Sequence, residues 1–428
     1  MTGRTLTIWA VVVPSLLALL TVGLLSTAPG VVGLVGAGAL LCWGAFTLWP
    51  WSVLPFGIIG GTITGGAIGG GDVRTLVVIH TLILAVGCVA LLTRQILGLE
   101  DFHRSRTTVD VAMLVLTAFT TVMALYGLAL GNLPMDVVVA AYQVTVIPVY
   151  FFLGTRTLND RRRLRAAAIL YITPAALLTA AALAAPGHHG GLIAMLAAPP
   201  LVVLAGRGRG WRRAGFALLA ALFLADVVLS SFRALWLAAG ITIVLMLLRG
   251  GRIVRQGMAA TAAAALVFIA LAMVDSGLRA RVEVVAQEVD ESPGYRAPES
   301  SVGLDVFANR PLAGGGLGQS AQDIYLAGFS VTDVGPVYHA FYVTLLANAG
   351  LVGLAVVLWP ILRTLPDGFR RPNGVALVFA AMTCGFLVGA VFAGPTDGHW
   401  ELGLLPALTL MALRAEAPVP GARAEVSA

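Results

Sequence analysis

The chain has 428 residues, of which only 11% are charged and 58% are hydrophobic, and its mean hydropathy is +0.91. A water-soluble domain carries roughly a quarter charged residues, so this composition excludes a soluble globular protein and favours one that exposes apolar surface to lipid. The net charge of +6 does not indicate nucleic-acid binding, because the basic residues, all of them arginine, occur in short clusters between apolar runs.

Apolar runs of the length that crosses a bilayer, about 20 residues, recur along almost the whole chain. They predict spans near 5–26, 31–48, 73–93, 109–131, 137–154, 165–185, 190–206, 213–230, 232–249, 256–274, 337–362, 374–394 and 399–413. The first run is long for a signal peptide and another follows at once, so it is interpreted as a membrane helix. The glycine-rich stretch 53–70 is either a further span or a re-entrant segment. We therefore predict an all-α membrane protein of 12–14 transmembrane helices, forming a single polytopic domain over residues 1–428.

Arginine clusters occur in every second connection between these runs, at 156–165, 207–213, 249–255 and 363–371. By the positive-inside rule these connections lie in the cytoplasm. The pattern predicts a multi-pass protein of the cytoplasmic membrane with a short cytoplasmic tail at 414–428.

One connection, residues 275–336, is long, carries mixed charge and falls on the extracytoplasmic side. Long connections without a function are uncommon in compact domains. Within it, Ser300 to Asn309 can form a short helix with Val302, Val306 and Phe307 on one side. Pro311 ends that helix, and the glycines at 314–316 permit a tight turn.

Three arginines on this side are candidates for binding an anion. Arg233 stands where two spans meet almost without a loop, and it either reaches the interface, pairs with Asp226 or holds an anion. Arg296 and Arg310 flank the predicted loop helix, and together with the glycine-rich turn they could cradle a pyrophosphate. Ordinary salt bridges within the loop are the alternative.

His339 lies at the outer end of the span 337–362. A neutral imidazole there can accept a proton from a hydroxyl group, because its pKa lies near neutrality. A structural histidine bonded to the backbone is the alternative. Asp397, His399 and Glu401 cluster at a neighbouring outer end and either line the same cavity or cap helices. No motif predicts a metal site or a cofactor.

Three local patterns between about Ser230 and Leu358 resemble the O-antigen ligase and O-antigen polymerase superfamily. The first is Ser-Phe-Arg-Ala-Leu-Trp-Leu-Ala, from Ser231 to Ala238. The second runs from Tyr295-Arg296 to Arg310-Pro311-Leu312 and on to the glycines at 315–318. The third is His339-Ala340-Phe341-Tyr342 with the later Gly350 and Gly353. The chain departs from the family pattern at Phe232, Ala340 and Asn348.

The resemblance implies an inverting, metal-independent glycosyltransferase of the O-antigen ligase or polysaccharide polymerase type. Its donor would be a polyprenyl-pyrophosphate-linked glycan, and its acceptor a lipid, a protein or a growing polymer at the outer face. By motif, Arg233 and Arg296 would bind the pyrophosphate and His339 would be catalytic. Arg310 is a further candidate for binding the donor.

Two other functional classes stay open. A transporter or flippase of a lipid-linked or polar solute would place its charged residues at mid-span. A membrane scaffold would need none of these side chains.

Overall fold

The computed structural model describes residues 29–67, 73–99, 107–184, 191–230, 232–274, 280, 283, 296–319, 321–326, 329–334, 338, 340–393 and 399–416. Its helices up to the long loop are α1 (Pro29–Leu48), α2 (Val53–Ala67), α3 (Val73–Ile96), α4 (Thr108–Ala129), α5 (Pro134–Thr157), α6 (Arg161–Ala184), α7 (Gly191–Arg207), α8 (Trp211–Leu229), α9 (Arg233–Arg249) and α10 (Arg252–Val274). The loop contains α11 (Arg296–Asn309) and the strands β1 (Ala321–Leu326) and β2 (Phe329–Val334). The chain continues with α12 (Phe341–Phe369), α13 (Val375–Gly389) and α14 (Glu401–Glu416).

The predicted all-α membrane class is confirmed. Every predicted span that falls within the described ranges is a helix, and the boundaries agree to within about five residues, except that α12 ends seven residues beyond the predicted 362. Six described helices, α3, α4, α5, α6, α10 and α12, are long and apolar enough to cross a membrane, and α7 and α13 are shorter apolar helices. The total of 12–14 spans and the single domain with its tail stay predictions. The run 5–26 lies outside the described residues.

The helices form two compact units, residues 1–107 with 156–171, and residues 108–155 with 172–428. In the first unit α3 packs against both α1 and α2. The indole nitrogen of Trp43 donates to the Thr93 hydroxyl over 3.2 Å, and the Arg94 guanidinium donates to the Thr47 carbonyl oxygen. These bonds join the ends of α1 and α3.

In the second unit, small residues allow helix backbones to approach closely, as is usual between membrane helices. A Cβ atom added to Gly257 of α10 would lie 1.9 Å from the Val202 carbonyl oxygen of α7. On the other side of the unit, a Cβ at Gly385 of α13 would lie 2.3 Å from the Ala238 oxygen of α9. The backbones at both crossings are therefore packed against each other with no room for a side chain.

The connections at one end of the second unit are rich in arginine. The Arg207 guanidinium donates to the Asn373 carbonyl oxygen over 3.1 Å, and the amide of Gly251 donates to the Pro372 oxygen over 2.7 Å. These bonds join the α7–α8, α9–α10 and α12–α13 connections. At the opposite end α8 ends, α9 begins, α13 ends, and α12 and α14 begin.

Helix α12 is interrupted at Gly350, which has φ 62° and ψ −163° and is not helical. The span predicted at 337–362 thus contains a break that the sequence did not indicate. The segment from Leu351 to Leu362, which precedes the arginine cluster 363–371, is about 18 Å long at 1.5 Å per residue and is shorter than the hydrocarbon core of about 30 Å. The first segment, from Phe341 to the break, therefore contributes to the length needed to cross the bilayer.

The long loop has regular structure of its own. Helix α11 contains the predicted segment Ser300–Asn309, and the chain turns after Pro311 with Gly314 and Gly316 at positive φ, as expected. The strands β1 and β2 form an antiparallel hairpin in which Leu326 pairs with Phe329. The sequence analysis did not predict this hairpin.

Substitution of Gly350 by alanine is expected to destabilise the protein severely. An added Cβ would lie 2.4 Å from the carbonyl carbon and oxygen of Leu312. Both this overpacking and the backbone conformation, which L-residues avoid, cost about 1–3 kcal/mol each. Heating detergent-solubilised protein and measuring the remaining monodisperse fraction by size-exclusion chromatography should show a large drop in Tm.

Gly240→Ala is the matched control, because Gly240 lies within α9 and an added Cβ would meet no atom within 4 Å. Alanine favours helix by about 0.5–1 kcal/mol over glycine, so its Tm should be equal or higher. An unchanged Tm for Gly350→Ala would show that the break is not required for folding.

Candidate functional site

Three helix ends meet at the end of the second unit that lies opposite the arginine-rich connections. A Cβ at Gly389, the last residue of α13, would lie 2.7 Å from the Ala234 carbonyl oxygen near the start of α9. The amide of Phe341, the first residue of α12, donates to the carbonyl oxygens of Ala390 and Ala393 over 3.1 and 3.0 Å. The end of α13 thus joins the start of α9 to the start of α12.

The residues just before α12 are held by one hydroxyl group, that of Thr344. It accepts a hydrogen bond from the Tyr338 amide over 3.1 Å. It also lies 3.1 Å from the carbonyl oxygens of both Tyr338 and Ala340, to which it can donate. Tyr338 and Thr344 are buried, at 0% and 6% exposure. The backbone on both sides of position 339 is therefore fixed.

Helix α11 packs against this same turn. Val302 and Val306 form a cluster with Tyr338, Ala347 and Val343, which agrees with the side of the helix predicted to be apolar. The approach is close at Gly303, where an added Cβ would lie 2.4 Å from Val343 Cγ1 and 3.1 Å from Tyr338 Cε1. The loop helix that begins at Arg296 is thus docked on the start of α12.

The glycine-rich segment 314–318 fills the space between α12 and the α4–α5 connection. The Asn132 side-chain amide donates to the carbonyl oxygens of Gly315 and Leu317 over 3.1 and 2.9 Å. The amides of Gly315 and Leu317 donate to the Ala347 and Met123 oxygens over 2.7 and 3.3 Å. These amide groups are engaged within the protein, so the glycines serve close packing. The expectation that this turn cradles an anion is not supported at these two amides.

The predicted site residues are placed as follows. Arg233 is the first residue of α9 and is exposed, next to the contact between Ala234 and Gly389. Arg296 begins α11, but its side chain is not described. Arg310 directly follows α11 and is exposed. His339 lies outside the described residues.

The length of α11 separates two of the predicted pyrophosphate ligands. At 1.5 Å per residue, the backbones of Arg296 and Arg310 are about 20 Å apart along the helix axis. Arg310 lies at the end next to the glycine-rich segment, where its carbonyl oxygen accepts from the Gly314 amide over 2.8 Å. The two arginines therefore sit at opposite ends of one helix.

A buried acid–base pair lies beside the start of α12. Nδ1 of His399 is 2.5 Å from Oε1 of Glu401, the first residue of α14. The two residues are 8% and 3% exposed. The His399 ring meets the Phe341 ring edge-on with centroids 4.5 Å apart. The third member of the predicted cluster, Asp397, lies outside the described residues.

The sequence analysis did not single out Thr344 and Asn132, which fix this end of the unit. A threonine in an apolar helix and an asparagine in a short connection carry no distinguishing local signal. Asn348 was noted only as a departure from the family pattern. Its side chain accepts from the Gln319 amide over 3.2 Å and donates to the Thr344 carbonyl oxygen over 2.9 Å. It thus anchors the glycine-rich segment to α12.

These features define a multi-pass membrane protein whose spans are helical, with a small loop domain docked at one end of its helices. The family model described as O-Antigen ligase matches residues 218–358. This match covers about a third of the chain and confirms the resemblance found in the motifs, so residues 218–358 are similar to O-antigen ligases. It spans Arg233, α11 and the start of α12, and it ends within α12. No curated protein sequence matches the chain significantly.

Replacement of Thr344 by valine is expected to loosen the turn before α12. Valine keeps the shape but removes the hydroxyl, and it leaves the buried Tyr338 amide without its partner at a cost of about 1–3 kcal/mol. Hydrogen–deuterium exchange measured by mass spectrometry should show faster exchange in the peptide that contains Tyr338 and Phe341.

Thr344→Ser keeps the hydroxyl and should exchange much more slowly than Thr344→Val in this peptide. Thr383→Val is a second control, because the buried Thr383 hydroxyl donates only to Phe379 of its own helix over 2.8 Å. Equal exchange in all variants would contradict the role of Thr344.

Proposed function

We propose that the protein transfers a glycan from a polyprenyl-pyrophosphate donor to an acceptor hydroxyl at the outer face of the cytoplasmic membrane, with inversion and without a metal ion. The observation that carries the proposal is the O-antigen ligase match over residues 218–358. Those residues contribute the start of α9, the loop helix α11 and the start of α12. A lipid-linked donor suits a site at the end of membrane helices, because its tail can remain in the bilayer.

Arg233 and Arg296 bind the pyrophosphate in this proposal. A guanidinium group is always charged and offers paired donors that match phosphate oxygens. Arg233 lies at the helix N-terminus of α9, where the helix dipole also favours negative charge. Arg310 contributes less, since α11 separates it from Arg296 by about 20 Å.

In the transfer step the acceptor oxygen forms a bond to the anomeric carbon, and the bond from that carbon to the phosphate oxygen breaks. The electron pair leaves with the polyprenyl pyrophosphate, whose added charge the arginines stabilise. His339 takes the proton of the acceptor hydroxyl. Attack opposite the leaving group inverts the anomeric configuration. The acceptor is either a lipid, a protein or a wall polymer, as for a ligase, or a second lipid-linked repeat, as for a polymerase.

The same proposal sets the orientation of the second unit. Its arginine-rich connections face the cytoplasm, and the end with Arg233 and α11 faces outward. A transporter or flippase remains the second functional class. Loss of a flippase would leave lipid-linked glycan in the inner leaflet, whereas loss of a transferase would leave it in the outer leaflet.

Substitution of either arginine or of the histidine should reduce glycan transfer without lowering the amount of the protein in the membrane. Cells that lack the protein would be complemented with wild type, Arg233→Ala, Arg296→Ala or His339→Ala at matched membrane levels. Each variant should lower surface polymer about 10- to 100-fold, because a hydrogen bond to a charged group contributes about 1.5–3 kcal/mol. Lipid-linked glycan should accumulate in the outer leaflet, where impermeant periodate oxidises it in intact spheroplasts.

Arg310→Ala should have a smaller effect. Arg209→Ala, an exposed arginine at the opposite end, should match wild type. Accumulation in the inner leaflet of the deletion strain would favour a flippase. Wild-type behaviour of all the variants would favour a scaffold or a transporter that does not use these side chains.

Reporter fusions test the orientation. Alkaline phosphatase, which is active only outside the cytoplasm, should be active when fused after Gly318 or after Asp72. It should be inactive after Arg209 or Arg371, where a fluorescent protein should be bright instead. The reverse pattern at Gly318 and Arg371 would refute the proposed outer face, and a cytoplasmic signal at Asp72 alone would refute the proposed orientation of the first spans.

A further inference from the structure

The His399–Glu401 pair lies outside the matched segment 218–358, and the transfer step proposed above does not use it. Both residues are more than nine-tenths buried. Burying ionisable side chains costs desolvation that their mutual attraction often fails to recover, so well-packed apolar residues are commonly as stable. Ionisable residues within membrane helices accordingly tend to serve a function.

Capping of α14 does not account for the pair. The amide of Leu402 donates to the backbone oxygen of His399 over 3.0 Å, and the amides of Gly403 and Leu404 donate to the Trp400 oxygen over the same distance. The first turn of the helix is thus closed by backbone groups. The Glu401 carboxylate is directed to the imidazole instead.

The imidazole in turn supports Phe341. Its ring lies edge-on to the Phe341 ring at 4.5 Å and 69°, a favourable aromatic geometry. Phe341 is 1% exposed, and its amide is bonded to the carbonyl oxygens of Ala390 and Ala393. The side chain of Phe341 therefore rests on His399 while its backbone is held by the end of α13.

Phe341 follows Tyr338 and Ala340, whose backbone groups are bonded to the Thr344 hydroxyl. Position 339 lies between them in the sequence. A carboxylate bonded to one imidazole nitrogen fixes both the orientation of the ring and the nitrogen that carries the proton. An imidazole held in one orientation allows Phe341 a single packing position, whereas an imidazole that could rotate would allow several.

We propose that His399 and Glu401 are positioning residues for the glycan-transfer reaction. They hold Phe341, and through it the start of α12, in the geometry that the transfer step requires. They do not touch the donor. The inference rests on the proposed function, since it assigns the pair a role in that reaction.

The test uses purified full-length protein in nanodiscs, with polyprenyl-pyrophosphate-linked glycan from the deletion strain as donor and the native acceptor fraction. Glu401→Leu should lower kcat about 10-fold or more, because the imidazole loses its orienting partner. The donor KM should change less than about 3-fold, because Arg233 and Arg296 are unaltered. Tm is expected to fall as well, because the buried imidazole loses its hydrogen-bond partner, so kcat is measured well below that Tm and per folded, monodisperse protein. A purely structural residue would then leave kcat of the folded protein unchanged, and a ligand of the donor would raise KM.

Glu401→Gln is the conservative variant, because its amide oxygen can still accept a hydrogen bond from Nδ1. It should recover most of the wild-type kcat, and it keeps the test decisive if Glu401→Leu does not fold. Thr409→Val is the matched control on the same helix. Its buried hydroxyl donates to the Leu405 oxygen over 2.9 Å, two turns from the pair, and its removal should leave kcat unchanged.

The proposal is overturned if Glu401→Leu folds and keeps the wild-type kcat, or if it changes KM alone. It is also overturned if Glu401→Gln folds but loses activity as completely as His339→Ala, since the charge rather than the hydrogen bond would then matter. Absence of transfer by the wild-type protein would refute the proposed function and this inference together. Transfer by wild type with an unaffected Glu401→Leu refutes the inference alone.

Discussion

The break of α12 at Gly350 determines how the rest of this end of the protein is built. In an uninterrupted helix the amides of Leu351 and Val352 would bond to carbonyl oxygens one turn earlier. They donate instead to the Pro311 and Leu312 oxygens over 2.9 and 3.2 Å, while the Ala347 oxygen accepts from the Gly315 amide. Backbone groups cannot remain unpaired away from water, so the helix can break here only because the segment after α11 supplies the missing partners.

This exchange of hydrogen bonds explains why the loop is ordered at the helix ends. The segment that pairs with the break is tied to α4 and α5 by Asn132 and to the first part of α12 by Asn348. Helix α11 then lies over the Tyr338 side chain. A loop anchored at several points presents its first residue, Arg296, from a fixed backbone. A reaction that needs charge placed within a few tenths of an ångström benefits from such a support.

Hydrophobic periodicity and length were enough to predict the helices, because apolar runs of about 20 residues have few alternatives in a membrane. Hydrophobicity did not indicate the break in α12, because Gly350 lies within an apolar run and glycine is common in membrane helices. The hairpin of β1 and β2 was missed because its strands are short and only Phe329 to Thr332 alternates between apolar and polar residues. The candidate arginines were found from short motifs. The bonds of Asn132 to the glycine-rich segment join residues 183 and 185 positions apart, and no motif marks the bonds of Thr344 across the turn before α12.

In this site the described arginine side chains are exposed, whereas the polar side chains of Thr344, His399 and Glu401 are buried. The described arginines at this end, Arg233 and Arg310, are exposed. The buried polar groups, Thr344 and the His399–Glu401 pair, are instead bonded to backbone or to each other. Groups already satisfied within the protein add little affinity for a ligand, but they restrict where the backbone can lie. The proposed donor, which is large and lipid-anchored, can supply binding energy through its pyrophosphate and its tail. In the proposed reaction the protein must also fix the position of the reacting groups, and this is the role that we propose for the buried contacts around Phe341.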